Sequence, residues 1–407
     1  MTRVAAFPAA PAGADQSWPL WPVLPLAPYG YRKTIVEEVV PGQVWAFDQL
    51  QGTLYVHVPV RMSVVKLSAG GLLCYCPVAP TTECIRELRL LEAEHGPVKH
   101  VVLPTLGVEH KAFIGPFCSQ TPQAEVWYSP GQYTFPVNFP DLAFLGLGRA
   151  KPIPDGAAPW SDDLAHATLG PILPPGNGGF CETAFFHKAS KTLLVVDALV
   201  SVPKAAPDIV AWDARSCLFH ARDDVRQYVE PDAETLQRGW ERLALFGFFF
   251  MPQALTVVES PKCFEEAKAS PMKGAFGWAD VYPFEWDDAA AKTSFDTLNR
   301  PKVLVAPILQ ELILNRNPTE VRRWLDVVCS WPFQRIVPCH LAKVVAAAPR
   351  DVRDAFDFLA VQESQFFAGD LAALRDGEAG LVASGEIFGR AEKPRPRSLL
   401  AKLAGGP

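Results

Sequence analysis

The sequence lacks the features that mark several classes of protein. None of the motifs GxGxxG, GxxxxGKS/T, GxSxG and HExxH occurs in its 407 residues, which argues against nucleotide-binding, serine-hydrolase and zincin sites. Basic residues are in the minority, with 38 Lys and Arg against 44 Asp and Glu. We therefore exclude nucleic acid as a partner. The substrate is expected to be a small molecule or of a class that the sequence leaves unknown. The longest apolar run, at 243–251, is well short of the roughly 20 residues of a membrane-spanning helix, and it predicts a buried helix end or core strand.

Paired cysteines are missing as well. The nine cysteines are odd in number, show no CxxC spacing and lie in apolar surroundings. This pattern predicts reduced thiols in a reducing compartment, either the cytoplasm or a plastid. Residues 1–16 have neither the apolar core of a signal peptide nor the Arg and Ser content of a clear transit peptide. The sequence leaves an organelle address and the oligomeric state open.

What is present indicates a globular chain, with 49% apolar and 20% charged residues. Its 39 prolines are spread along the chain, so many strands and helices are expected to be short. The composition predicts an extended N-terminal arm over residues 1–42 and a single domain over 43–384. It also predicts a helical insertion at about 201–300 and a disordered basic tail over 385–407.

Hydrophobic periodicity predicts a mixed α/β fold that includes a strand, a capped helix and a second strand in succession. Thr81 or Thr82 is the expected cap of that helix. Segments 115–117 and 130–133 are predicted to be turns, with Gln132 and Tyr133 as candidate cleft-lining donors. Strands are predicted at 44–47, 54–58, 62–67, 72–77, 98–103, 125–128, 183–186, 192–196, 303–306 and 335–337, and helices at 83–94, 233–246, 308–314 and 352–359.

Acidic and histidine residues follow three of the predicted strands. The pair Glu109 and His110 comes after VVLP, Asp197 after LLVV and His340 after RIVPC. A side chain at the end of a strand is held by the sheet and open to a cleft, where such groups can bind a metal or move protons. Each position alone is weak evidence for a functional site, because a lone Asp is more often a turn or cap residue and a lone His is more often a structural residue.

The order of the three positions resembles that of the ligand loops in the metallo-β-lactamase superfamily. The first loop of that superfamily reads HxHxDH, and segment 105–110 here reads TLGVEH. Thr105 and Gly107 stand where the two leading histidines would be, while Glu109 and His110 keep the trailing acid–His pair. A GHTxG-like loop would fall at 175–179, which holds no histidine and has Asn177 as the nearest polar residue.

The resemblance implies an αββα sandwich in which one metal site is lost and the second is chemically complete. Glu109, His110, Asp197 and His340 would be the ligands of one divalent metal, for which Zn, Fe and Mn are all suitable. Lys111 is a candidate catalytic residue beside Asp197, because its ammonium group could replace the missing cation; the alternative is a solvated surface lysine. Arg61 is interpreted as the partner of an acid at the edge of the core rather than as an anion contact.

At a finer level the chain is identified as a member of the family called domain of unknown function 4336 (DUF4336), over about 21–359. The motifs that carry this resemblance are PVRMSVVKL, YCPVAPTTEC, VLPTLGVEHKAFIGPF, SPGQYTFPVNFP, KTLLVVDAL, VAPILQELILNRNP and IVPCH.

Two functions follow from this reading. The first is a mononuclear metal-dependent hydrolase. The second is a catalytically lapsed binding or scaffold protein, in which Glu109 pairs with Lys111 near Asp197 and the two histidines are only hydrogen-bonded. Convergence of the ligand atoms within about 4 Å of a common point would favour the enzyme, and divergence would favour the scaffold.

Overall fold

Two β-sheets lie face to face between two layers of helices in the computed structural model of the chain. The structure describes residues 13–19, 27–53, 56–133, 146–172, 179–225, 227–269, 281–360, 364–385, 387 and 389–390. The first sheet has its strands in chain order: β1 (Ile35–Val40), β2 (Val44–Thr53), β3 (Val56–Lys66), β4 (Leu72–Tyr75), β5 (Val98–Leu103), β6 (Glu125–Tyr128) and β7 (Lys151–Pro152).

The second sheet is formed by β8 (Leu164–Ile172), β9 (Phe180–His187), β10 (Thr192–Val195) and β13 (Arg335–Pro338), in the spatial order β13-β10-β9-β8. Strands β10 and β13 run parallel, whereas β8, β9 and β10 are antiparallel neighbours. A separate hairpin pairs β11 (Leu255–Val257) with β12 (Phe284–Trp286).

Helices cover the outer faces of both sheets and build the insertion. Their bounds are α1 (Thr82–His95), α2 (Val108–Gln120), α3 (Asp208–Trp212), α4 (Arg215–His220), α5 (Ala233–Phe249), α6 (Ser260–Ala269), α7 (Asp288–Asn299), α8 (Pro307–Leu312), α9 (Pro318–Val328), α10 (Pro349–Ala355) and α11 (Ala368–Ala383). Thr81 begins α1 by accepting a hydrogen bond from the backbone N–H of Cys84 at 3.2 Å. No helix in the described part of the chain is long and apolar enough to span a membrane.

Three layers of apolar side chains hold the sandwich together. Between the sheets, Tyr75 and Trp127 pack with Phe185 and Val337. The outer face of the first sheet packs on α1 and α2, and that of the second packs on α9 and α10. Because both faces of each sheet are covered, the central strands are apolar nearly throughout. The predicted αββα sandwich is therefore confirmed.

Local differences from the sequence-based elements have physical causes. Segment 115–117, predicted to be a turn, lies inside α2, because burial of Phe113, Ile114 and Phe117 outweighs the helix-breaking tendency of Pro116. Predicted strand 303–306 forms only an isolated bridge, between Leu304 and Val200. The predicted strands at 54–58 and 62–67 are parts of one continuous strand, β3, which the structure describes from Val56 onward. Residues 54–55 lie outside the described part of the chain.

The predicted insertion at 201–300 holds α3 to α7 and the hairpin of β11 and β12. Strand β1 falls within the predicted arm and pairs with β2. Most of the predicted tail and Asn177 lie outside the described residues. All nine cysteines are free thiols, and eight of them are buried.

Candidate functional site

The candidate site lies where the two sheets meet at one edge of the sandwich. Glu109 and His110 are in the first turn of α2, which follows β5 of the first sheet. Asp197 and His340 follow β10 and β13, which are parallel neighbours in the second sheet. An antiparallel bridge between Thr105 and Glu182 joins the two sheets at this edge. The carboxyl ends of these strands thus bring distant parts of the sequence together.

Three of the four predicted ligand residues form one group, and the fourth, Asp197, contacts that group through His340. The Nε2 atoms of His110 and His340 are 3.2 Å apart, and Nε2 of His340 lies 3.1 Å from Oδ1 of Asp197. One ligand atom each from Glu109, His110 and His340 lies within 4.8 Å of the other two. One carboxylate and two imidazoles, from the start of α2 and the loop after β13, therefore share one small volume, and the carboxylate of Asp197 adjoins it.

A hydrogen bond from the second ring nitrogen of His340 fixes the orientation of this side chain. Its Nδ1–H donates to the backbone carbonyl of Pro59 at 2.8 Å, so Nε2 faces His110 and Asp197. His110 is fully buried, and its Nδ1 has no hydrogen-bond partner among the described residues. An unpaired buried ring nitrogen costs free energy.

Burial and mutual charge set the protonation of the cluster. Burial, and then the charge of His340, lower the pKa of His110 to about 3, so this ring is neutral. Burial opposes the charged forms of His340 and Asp197, but their hydrogen bond and attraction raise the pKa of His340 and lower that of Asp197. Burial, together with the charge of Asp197, raises the pKa of Glu109.

The described hydrogen bond of the Lys111 side chain is to Tyr133 and not to the ligand residues. Its ammonium group donates to the backbone carbonyl of Tyr133 at 2.8 Å and lies 3.9 Å from the centre of the Tyr133 ring. Burial lowers its pKa to about 8. No ion pair joins Lys111 to Glu109 or Asp197 within the described residues. The side chain is buried, so it is not the solvated surface lysine of the alternative reading.

Glu182 is a residue of the site that sequence reasoning missed. It is fully buried in β9, and its carboxylate accepts hydrogen bonds from the backbone N–H groups of Val196, Asp197 and Ala198 at 2.8, 2.7 and 2.7 Å. Burial and the nearby charge of Asp197 raise its pKa to about 7. The one available signal was a lone acid within the apolar strand FCETAFFH.

Arg61 holds the loop that carries His340. Its guanidinium forms a fully buried ion pair with Asp48 at 2.6 Å and donates to the carbonyls of Pro338, Leu341 and Ala342. This agrees with its interpretation as the partner of an acid at the edge of the core. Gln132 stabilises the loop between β5 and α2 in a similar way, because its Nε2 donates to the carbonyl of Thr105 at 2.9 Å.

A cavity of about 510 Å³ adjoins the cluster. Glu109, Asp197 and His340 lie at one end of it, and the insertion supplies one wall through α5. Its volume is within the range of roughly 300–1,000 Å³ that small-molecule sites occupy. The converging groups are therefore accessible to a ligand of moderate size.

Comparison with known proteins gives one family and several structural similarities. A family model described as "Domain of unknown function (DUF4336)" matches residues 41–358. No curated protein sequence matches the chain. Among solved structures it is similar to a flavoprotein from Thermotoga maritima, with 8% identity and a TM-score of 0.42 over 81% of this chain and 61% of that one.

Two further solved structures are also similar to the chain at low sequence identity. The flavodiiron protein from Giardia intestinalis has 9% identity and a TM-score of 0.43, over 80% of this chain and 59% of that one. The DIM-1 metallo-β-lactamase has 10% identity and a TM-score of 0.32, over 46% of this chain and 83% of that one. The chain spans less than two thirds of the length of the two flavoproteins.

Proposed function

The chain belongs to the DUF4336 family, as its motifs predicted, and because that description states no activity we propose a function from the site itself. It binds one divalent metal ion through Glu109, His110, Asp197 and His340 and acts as a metal-dependent hydrolase. The grouping of Glu109, His110 and His340, with Asp197 against His340, carries the proposal.

The facing imidazoles support a cation between the loops. Since Nδ1–H of His340 donates to Pro59, its Nε2 is the ring nitrogen left to bind a proton or a metal ion. Nε2 of His110 lies 3.2 Å away, so a metal ion that replaced this proton would have both rings within reach. Two imidazoles and two carboxylates form a ligand set suited to Zn, Fe or Mn.

The surroundings of the donors also fit a metal. Metal-binding histidines usually donate their second ring nitrogen to a carbonyl or carboxylate, and His340 does so to Pro59. The loop of Asp197 is fixed by Glu182 in the same way that outer residues fix ligand loops in metalloproteins. Thr105 and Gly107 offer no imidazole, and the hydroxyl of Thr105 accepts the N–H of Gly107 at 3.0 Å, so the proposal is limited to one metal.

A bound divalent ion would supply Lewis acidity, which makes hydroxide available near neutral pH. The protein itself orients and shields the reacting groups. Glu109 lines the cavity, so as a ligand it would present the metal ion to a substrate bound there. Asp197 lines the same end of the cavity and keeps its negative charge. Lys111 is not among the described residues that line the cavity, so its predicted catalytic role stays a prediction.

One observation favours the second function, a lapsed scaffold. His340 and Asp197 form a direct ion pair at 3.1 Å, and this pair alone could stabilise the two loops. Under this function the cluster needs no metal, and its only effect is on folding. The two functions therefore differ in whether the native protein contains a stoichiometric metal.

Elemental analysis of the native protein by mass spectrometry tests the proposal. We expect about one metal per chain, and we expect Asp197→Asn to lose it because the amide lacks the charge that holds the cation. Asp162→Asn is the matched control, since Asp162 is exposed and outside the cluster. Metal-free wild-type protein that takes up none on titration with Zn²⁺, Fe²⁺ or Mn²⁺ would contradict the proposal and favour the scaffold.

A further inference from the structure

The cavity beside the cluster has mostly apolar walls. Residues of β3 and of α5 from the insertion both line it. Most of the lining side chains are apolar, with Gln51 and Thr53 as the uncharged polar exceptions; the apolar ones from β3 and α5 include Val58, Val60, Trp240, Leu243, Ala244 and Phe248. Apolar walls of this extent favour the aliphatic or aromatic body of a ligand.

The wall formed by α5 is held in place from outside. A Cβ atom at Gly239 would come 2.0 Å from the carbonyl oxygen of Cys217, so α5 packs closely on α4 through this glycine. The indole N–H of Trp240 donates to the carbonyl of Pro203 at 3.0 Å. Because these contacts fix the helix, the cavity is a preformed feature of the fold.

Charge is confined to one end of the cavity. Glu109, Asp197 and His340 are at that end, and no lysine or arginine is among the lining residues that the structure describes. Two basic side chains close to the ligand residues have other partners, since Lys111 donates to Tyr133 and Arg61 pairs with Asp48. Two carboxylates balance one divalent ion, so the site has no surplus positive charge for a phosphate or carboxylate on the body of a ligand.

We infer that the substrate is an uncharged ester or amide with an aliphatic or aromatic body. The body fills the cavity between β3 and α5, and the polar group lies at the end formed by Glu109, Asp197 and His340. This inference rests on the proposed function for the reaction at the polar group. The binding of the body depends on the cavity alone.

Isothermal titration calorimetry with simple amides tests the inference on the purified full-length protein. We expect hexanamide, octanamide and decanamide to bind with affinity rising about fourfold per added methylene until the cavity is full. The comparison ligand is 8-amino-8-oxooctanoate, which has the chain of octanamide with a carboxylate at its far end. It should bind about tenfold or more weakly than octanamide. Equal or tighter binding of the carboxylate, or affinity that does not depend on chain length, would overturn the inference.

Two substitutions in the wall should act in opposite directions. Ala244→Phe reduces the volume and should weaken decanamide binding about tenfold or more. Phe248→Ala enlarges it and should extend the chain-length series to longer amides. Ala233→Phe, the same exchange at an exposed position of α5, is the control and should leave all affinities unchanged. Unchanged binding in folded Ala244→Phe, or in Phe248→Ala if the former does not fold, would overturn the inference.

Metal analysis of the same preparation separates the two proposals. Protein that contains metal but binds no amide retains the proposed function and loses the inference. Protein that binds the amide series but neither contains nor takes up metal retains an apolar binding cavity and loses the proposed hydrolase.

Discussion

The carboxylate of Glu182 holds the backbone on both sides of Asp197. It accepts the N–H groups of residues 196, 197 and 198, so the loop is fixed before the Asp197 side chain meets His340. A buried acid that binds three amide groups determines the loop conformation more firmly than the loop sequence does. The position of one predicted ligand therefore depends on a residue that the sequence did not single out.

We expect Glu182→Gln to destabilise the protein by ~2 kcal/mol, because the amide nitrogen would face a backbone N–H that the carboxylate now accepts. Chemical denaturation measures this change. The same variant should bind metal less tightly, since the loop of Asp197 would lose its support. Glu94→Gln, at an exposed position of α1, is the control, and equal stability of the two variants would contradict the role of Glu182.

Arg61 offers a second test of how the loops are held. Arg61→Met would leave the buried carboxylate of Asp48 with only the more distant Lys343, at 4.0 Å, and three loop carbonyls without their donor. We expect a loss of ~3 kcal/mol in the free energy of unfolding. Adding Asp48→Leu should restore part of that loss, because the weakly paired buried charge is removed as well. A double variant no more stable than Arg61→Met would show that the ion pair is not the source of the effect.

The chelator dependence of melting tests whether a metal stabilises the fold. A metal present at about a hundred times its dissociation constant adds ~2.7 kcal/mol to the free energy of unfolding. We therefore expect a chelator to lower the melting temperature of the wild-type protein by several degrees. Asp197→Asn should melt at one temperature with or without chelator. A chelator that leaves wild-type melting unchanged would count against a structural contribution of the metal.

Acid should weaken the fold through His57, which lies in β3. Burial lowers the pKa of His57 to about 4, below the ~6.5 of an unfolded chain. Because the unfolded state takes up the proton first, the free energy of unfolding falls as the pH drops from ~6.5 to about 4, by ~3 kcal/mol in all. Urea denaturation at several pH values should show this fall, and His57→Gln should reduce it. The same pH dependence in both proteins would exclude His57 as the cause.

The sequence could predict where the site lies because the ends of the strands can be recognised in the sequence. Apolar runs end a few residues before Glu109 and directly before Asp197 and the Cys339–His340 step, and the parallel pairing of β10 with β13 makes Asp197 and His340 neighbours. The layered fold follows from the same runs, since strands apolar on both faces need helices on both sides.

Other features depend on contacts between distant residues, which no local pattern records. Glu182 meets amide groups 14 to 16 positions away, across two strands. The side chain of Lys111 is adjacent in sequence to the cluster, and only its contact with Tyr133 decides where it points. The apolar run at 243–251 predicted a buried segment, but not that part of α5 would form the wall of a cavity.

The central claim is that four groups hold one cation, and anomalous diffraction from crystals of the zinc-loaded protein, recorded at the zinc edge, tests it most directly. We expect one peak at about 2.0–2.2 Å from Nε2 of His110, Nε2 of His340 and one oxygen each of Glu109 and Asp197. A peak bound to other residues, or no peak in protein that retains the fold, would contradict the account.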